Sequence, residues 1–265
     1  MDQLACIVLF MQTTLFQLAS PAPAMIVTSP AVLNTTHPTS TSSNSTNFHS
    51  PEMLEDSIQH LYQAIKLNEF DLSFEVFKYA MVGYYNLRET GRLNDKNLIS
   101  IIDFTKSSRQ KRFYTIDLSK LAVKFYTYVS HGKNTGEDLA QAFSNVLHSN
   151  QSSIGFYVTG ETYVGSKGYS LRLDGVEKGY NDNLRARAVV MHNAEYVSEN
   201  WIKKYGRLGR SQGCPALPVD IGKHVIETLK NKTAIFAYFN DAHYLASSPF
   251  LNPATLFSDF TASAQ

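Results

Sequence analysis

The chain has 265 residues, 43% of them hydrophobic and 18% charged, the balance of a globular protein with room for one sizeable core. Lys+Arg 24 against Asp+Glu 23 leaves a formal charge of +1, and no lysine/arginine run disturbs that balance. A general positive field for nucleic acid or an anionic membrane is therefore excluded.

Residues 1–24, "MDQLACIVLFMQTTLFQLASPAPA", form an apolar run broken by Gln12, Thr13 and Thr14 and ending in small residues. Ala22-Pro23-Ala24 has the small-x-small form of a processing site, although Asp2 stands where a basic residue is usual. This reads as an export signal, with an uncleaved membrane tether as its rival. Removal of the leader takes Cys6 with it and leaves Cys214 as a lone thiol, which in an oxidising compartment is either reactive or an inert small hydrophobe. Residues 25–50 are a Ser/Thr/Asn-rich linker with too little apolar surface to offset the entropy of ordering it.

Folded sequence is expected from Ser50-Pro51-Glu52, an N-cap followed by proline at the first helical position. A helical lead over residues 51–96 places Leu54, Ile58, Leu61 and Ile65 on one face of a first helix. A second helix starts near Ser73, stops at Gly91 and carries Phe74, Phe77, Tyr84 and Tyr85 as core aromatics. After Asn97 the period changes. The runs "LISIIDF", "RFYTIDL", "KLAVKFYTYVS", "SIGFYVTG", "GYSLRLDG" and "RARAVVMH" are β-branched or aromatic and separated by glycine turns. "SENWIKKYG" and "PVDIGKHVIETLKN" read as helices, and "TAIFAYF" as a last buried strand. The expected class is α+β: a mostly antiparallel, strand-rich body over residues 97–245, preceded by two helices, with residues 246–265 as a tail.

Cys214 lies in "RLGRSQGCPALP", where Gly213 lets the backbone turn sharply and Pro215 fixes the exit. A cysteine nucleophile needs a base or cation, oxyanion donors and access. The turn offers the backbone N–H groups of Gly213 and Cys214 as donors. Arg207 and Arg210 are candidates to favour thiolate and to hold a substrate carboxylate. Two histidines are placed to act as base: His192 at the end of "RAVVMH", facing the same way as Val190 and Ala188, and His131 at the end of "KFYTYVS". Spacing alone does not choose between them, because catalytic partners meet in space. Lys133 and "YNDN", Tyr180 to Asn183, are secondary candidates for substrate contact, although such a loop commonly bonds its own backbone. Arg185 and Arg187 are expected to be solvated.

The pattern "VVMHNAEYV … GRSQGCPALP" resembles the bacterial murein L,D-transpeptidase catalytic-domain family, whose signature is a strand-end histidine followed by Ser/Thr-x-Gly-Cys. The segments "FEVFKYAMVGYYNL", "SHGKNTG", "GYSLRLDGVEKGYNDN" and "TAIFAYFND" extend the likeness over roughly Phe70 to Asp241. The resemblance implies Cys214 as nucleophile, His192 as base, Gly213 and Cys214 as oxyanion donors, and Ser211 as the residue fixing the histidine or the turn. His131 becomes a supporting candidate. It further implies an exported enzyme of the periplasm or cell wall, acting on peptidoglycan stem peptides through a thioester. No metal or other cofactor is implied. Three positions depart from the family pattern: Asn193 where glycine or serine is usual, Gln212 where histidine is common, and Ala216 where arginine or asparagine is common. Arg210 is the expected substitute for that missing charge. A carboxypeptidase or endopeptidase cutting the same bond, and an inactive wall-binding module, are the alternatives.

Overall fold

Ser50 accepts a hydrogen bond from Met53 N–H and caps helix α1 (Pro51–Ile65), the N-terminus that its Ser-Pro-Glu sequence predicts. It is also the first of the residues, 50–260, that the computed structural model describes. The expected export signal with Cys6 and the linker up to residue 49 lie outside the described residues. Leu54, Ile58 and Ile65 are buried along one stripe of α1, with Leu61 partly buried beside them. Ser73 caps α2 (Phe74–Glu89) in the same way, and Phe77 and Tyr84 go into the core while Phe74 and Tyr85 pack at its edge.

Eight strands follow: β1 (Leu98–Asp103), β2 (Phe113–Asp117), β3 (Ala122–Thr127), β4 (Gly155–Gly165), β5 (Gly168–Gly175), β6 (Val190–Asn193), β7 (Ala216–Leu217) and β8 (Ala234–Tyr238). They form one sheet in the order β3-β2-β1-β8-β4-β5-β6-β7. Neighbours are antiparallel except β1 with β8 and β6 with β7. Helix α3 (Glu199–Tyr205) lies between β6 and β7, and α4 (Val219–Leu229) between β7 and β8. This is the expected α+β class: a mostly antiparallel, barrel-like body with two leading helices.

The sheet separates two apolar clusters. Helices α1 and α2 pack on the face carrying Ile99, Ile101, Phe156 and Phe236. The other face, with Tyr157, Leu171, Met191 and Ile235, is covered by Val225, Ile226 and Leu229 of α4, and Cys214 borders that second cluster.

The end of the chain differs from the expected tail. Helix α5 (Ala242–Ser247) is capped by Asp241, and the 3-10 turns that follow lie against α2. Buried Asn86 donates to the carbonyls of Phe250 at 2.8 Å and Asn252 at 3.2 Å. Buried Phe250 and Leu251 supply the apolar contact that offsets the ordering of this segment. The "YNDN" loop is structural: buried Asn181 donates to Ile154 O at 2.8 Å and accepts from Glu177 N–H at 2.9 Å.

Candidate active site

His192 and Cys214 are brought together by the shortest ladder in the sheet. In the parallel pairing of β6 with β7, His192 lies opposite Ala216 and Asn193 opposite Leu217. The same register carried two residues back sets Cys214 against Val190, whose N–H lies 3.4 Å from the sulfur. Ala188, Val190 and His192 all line one cleft with Cys214, the alternation expected of a strand end. The cleft has a volume of about 480 Å³. No residue of α1 or α2 borders it.

The turn before the cysteine is anchored on its other side by residues 130–133. Ser211 N–H donates to His131 O, Lys133 N–H to Ser211 O, and Ser130 N–H to Ala216 O. Gly132 is required by close approach: a Cβ there would lie 2.5 Å from Asn150 O and 3.0 Å from Gly213 Cα. Gly213 has φ +118°, and a Cβ on it would lie 2.7 Å from Gln151 O, so glycine is required at this position too. Ser211 Oγ closes the turn by donating to Cys214 O at 2.6 Å while accepting Gly213 N–H at 3.0 Å.

That last bond corrects one expectation. Gly213 N–H is engaged by Ser211, whereas the N–H groups of Gln212 and Cys214 have no hydrogen-bond acceptor among the described residues.

The imidazole of His192 is held by its Nδ1, 2.9 Å from Asn193 O. A carbonyl only accepts, so the proton is on Nδ1 and the Nε2 lone pair is free. Burial lowers the His192 pKa below its ordinary value, and nearby Lys167 adds to that, against the hydrogen bond to Asn193. The half-buried Cys214 thiol is raised by desolvation, opposed by the Val190 N–H and by Arg187 and Lys167. Both shifts favour a neutral thiol beside a neutral imidazole at rest.

The charged candidates are distributed differently from expectation. Arg207 lies outside the cleft, where its Nε pairs with Glu137 at 2.9 Å. Arg210 borders the cleft, but it pairs with Glu137 at 2.6 Å and donates to Lys133 O and Gly136 O. His131 is buried away from the cleft. Its Nδ1 accepts from Arg112 Nη2 at 2.8 Å and its Nε2 donates to Gly136 O and Glu137 O. Burial and the guanidinium push its pKa down to about 4. Lys133 does border the cleft and is exposed.

Arg187, expected to be solvated, is instead turned inward and bonded to protein. Its Nη1 donates to Ser144 O and Ser153 Oγ, and its Nη2 to Ser149 Oγ and Gln151 O. The guanidinium lies 3.3 Å from where a Gly213 Cβ would be, against the cysteine turn. Arg185, two residues earlier, is exposed and pairs with Asp174 and Glu161 as expected of a solvated arginine. Ala216, the position of the missing family charge, is fully buried with Val197 and Leu208. Among the described residues no group of three or more His, Cys, Asp or Glu is arranged to hold a metal.

The model of one family, described as the L,D-transpeptidase catalytic domain, matches residues 68–238, well over half of the chain. No curated protein matches. Solved structures similar to it include an L,D-transpeptidase from Mycobacterium smegmatis, 12% identical over 54% of this chain and 59% of that one, with a TM-score of 0.35. A mutant of the helical cell shape determining protein from Campylobacter jejuni is 14% identical over 69% of this chain and 62% of its own, with a TM-score of 0.41. An L,D-transpeptidase from Stackebrandtia nassauensis is 14% identical over 72% and 80%, with a TM-score of 0.33.

Proposed function

The chain belongs to the L,D-transpeptidase catalytic-domain family, and from that premise we propose that it is an exported cysteine L,D-transpeptidase acting on peptidoglycan stem peptides. The observation that supports this most directly is the shared cleft of Cys214 and His192, with Nε2 of the histidine free to accept a proton. In the first half-reaction Nε2 takes the thiol proton as the sulfur attacks the carbonyl between the L-centre and the terminal D-alanine of a donor stem. Charge on the carbonyl oxygen is met by the N–H of Cys214 and that of Gln212. The tetrahedral intermediate collapses, the C–N bond breaks, and His192 returns the proton to the departing D-alanine amine, leaving a thioester on Cys214. An acceptor amine then loses a proton to Nε2 and attacks the thioester, which restores the thiol and forms a new amide.

Cys214 is the nucleophile, His192 the base, and Ser211 the positioning residue of the turn. Peptidoglycan lies outside the cytoplasm, which is why the reading includes export to the periplasm or cell wall. Among the described residues no helix is long and apolar enough to cross a membrane.

Intact-mass measurement after incubation with disaccharide-tetrapeptide tests the assignment. Wild type is expected to show a covalent adduct, free D-alanine and a cross-linked dimer. Cys214→Ala should show none of them, and His192→Ala should be slower by roughly 10²–10⁴-fold. Release of D-alanine without dimer would turn the reading to a carboxypeptidase. A folded wild type with neither adduct nor product on several stem types would turn it to a binding module.

A further inference from the structure

Among the described residues, four cations and no carboxylate border the cleft: Lys133, Lys167, Arg187 and Arg210. The chain as a whole is nearly neutral, so this is a local concentration and not the expression of a basic protein. The four are not equivalent. Arg210 is ion-paired, sharing the Glu137 carboxylate with Arg207. Arg187 keeps its charge, because all four of its acceptors are neutral oxygens, but those acceptors occupy both of its terminal nitrogens. Lys133 and Lys167 are exposed, and among the described residues neither amino group has a hydrogen-bond or ion-pair partner.

They reach the same cleft as the sulfur from two different segments. Lys133 belongs to the segment that hydrogen-bonds Ser211 on one side of the turn. Lys167 sits in the short connection between β4 and β5, next to the strand whose Ser170 pairs with His192. A ligand filling the cleft at Cys214 therefore shares it with two unpaired ammonium groups and with the guanidinium of Arg187. Charge-assisted hydrogen bonds to carboxylates are the contacts such groups make best.

We propose that the cleft selects donor stems that keep an internal carboxylate free in addition to the terminal one, with Lys133 and Lys167 as the side chains that bind them. This rests on the transpeptidase reading and specifies its substrate class. An amidated stem has the same shape with the charge removed, so selection appears as a difference between free-acid and amide forms of one donor.

The test compares D-alanine release from two disaccharide-tetrapeptides identical except that the internal stem carboxylates are free in one and amidated in the other. Wild type is expected to favour the free acid by roughly tenfold in kcat/KM. That ratio should shrink as ionic strength rises, because exposed charges are screened. It should approach one in the double variant Lys133→Gln, Lys167→Gln, while Lys223→Gln on the exposed side of α4 keeps the wild-type ratio. Equal kcat/KM for the two donors with wild type, or an unchanged ratio in the double variant, would overturn the proposal while leaving the transpeptidase reading in place. Absence of a Cys214 adduct from both donors would instead remove the reading beneath it, and the proposal with it.

Discussion

Arg187 satisfies four neutral oxygens and brings an uncompensated charge to the Gly213–Cys214 turn. The thiol is raised by burial, and Arg187 is the first charge opposing that rise. Replacing it by methionine should raise the thiol further, so that alkylation of Cys214 by iodoacetamide, followed against pH, moves its half-maximum to higher pH. The same change leaves the carbonyl of Gln151 without its donor, while Ser144 O keeps Ser153 Oγ, and should cost about 1–3 kcal/mol in denaturant unfolding. An unmoved alkylation profile would remove Arg187 from the electrostatics of the site. The sequence carried no sign that this residue differs from Arg185, because "RARAVV" has two arginines at strand-like spacing and nothing local separates them. What separates them is tertiary: Ala188 has φ +54°, so the strand begins only at Val190, and Arg187 turns in toward the loop of residues 144–153 while Arg185 turns out to Asp174. The cysteine turn was legible for the opposite reason, since glycine and proline are local constraints, whereas only the family resemblance singled out His192 over His131.

Helix α4 sits against β6 through Gly222, where a Cβ would lie 1.8 Å from Asn193 Oδ1 and 3.2 Å from Leu217 Cβ. Asn193 is one of the positions at which this chain departs from its family, and its buried Oδ1 has no hydrogen-bond partner among the described residues. Glycine in α4 is therefore what admits the larger residue next to His192. In an open helix Gly→Ala would gain about 1 kcal/mol of propensity. Here the clash should dominate, and Gly222→Ala is expected to lose about 1–3 kcal/mol by thermal unfolding. Asn193→Ser should recover part of that loss, a coupling that a double-mutant cycle reads directly. Additive losses would show that the two sites do not share the contact. Most elements were legible through caps and periodicity, as in α1, α2 and α4, whereas α5 was missed. Its six residues are too short to establish a period, and its place is set by Tyr244, buried against Glu177 at 3.0 Å, a residue far away in sequence.

Across the whole molecule, the buried His131–Arg112 pair links stability to pH. Arg112 is fully buried with its own pKa pushed down to about 10, and His131 beside it is lowered to about 4. A histidine depressed in the folded state takes up its proton more readily when unfolded, so the unfolded chain binds more protons between about 6.5 and 4. Stability from this group is complete above that window and is lost as pH falls through it. Between pH 7 and pH 5 the loss should be about 2 kcal/mol. The His131→Gln variant, which keeps an acceptor for Arg112 but cannot titrate, should lose that much less than wild type over the same interval in chemical denaturation. Parallel pH dependences would show that His131 does not carry the effect. The overall class and the chain order of the longer elements followed from composition and period, but the pairing order of the strands, the two-residue β7 and the fate of His131 did not. Both it and His192 end strand-like runs, and only the folding of Arg112 beneath one of them tells a structural histidine from one facing the cleft.

The ladder between β6 and β7 also bears on how this molecule can vary. From Asn193 the chain leaves the sheet, forms α3 and returns at Ser211, where bonds to residues 131–133 and to β6 receive it. None of those bonds depends on how much chain is spent on the excursion. The exposed left-handed cap at Gly206 makes it a natural point for added length. Lineages of this fold can thus lengthen or shorten the excursion that supplies Tyr196 and Arg210 to the cleft wall, changing which substrates enter, while the separation of thiol and imidazole is inherited unchanged.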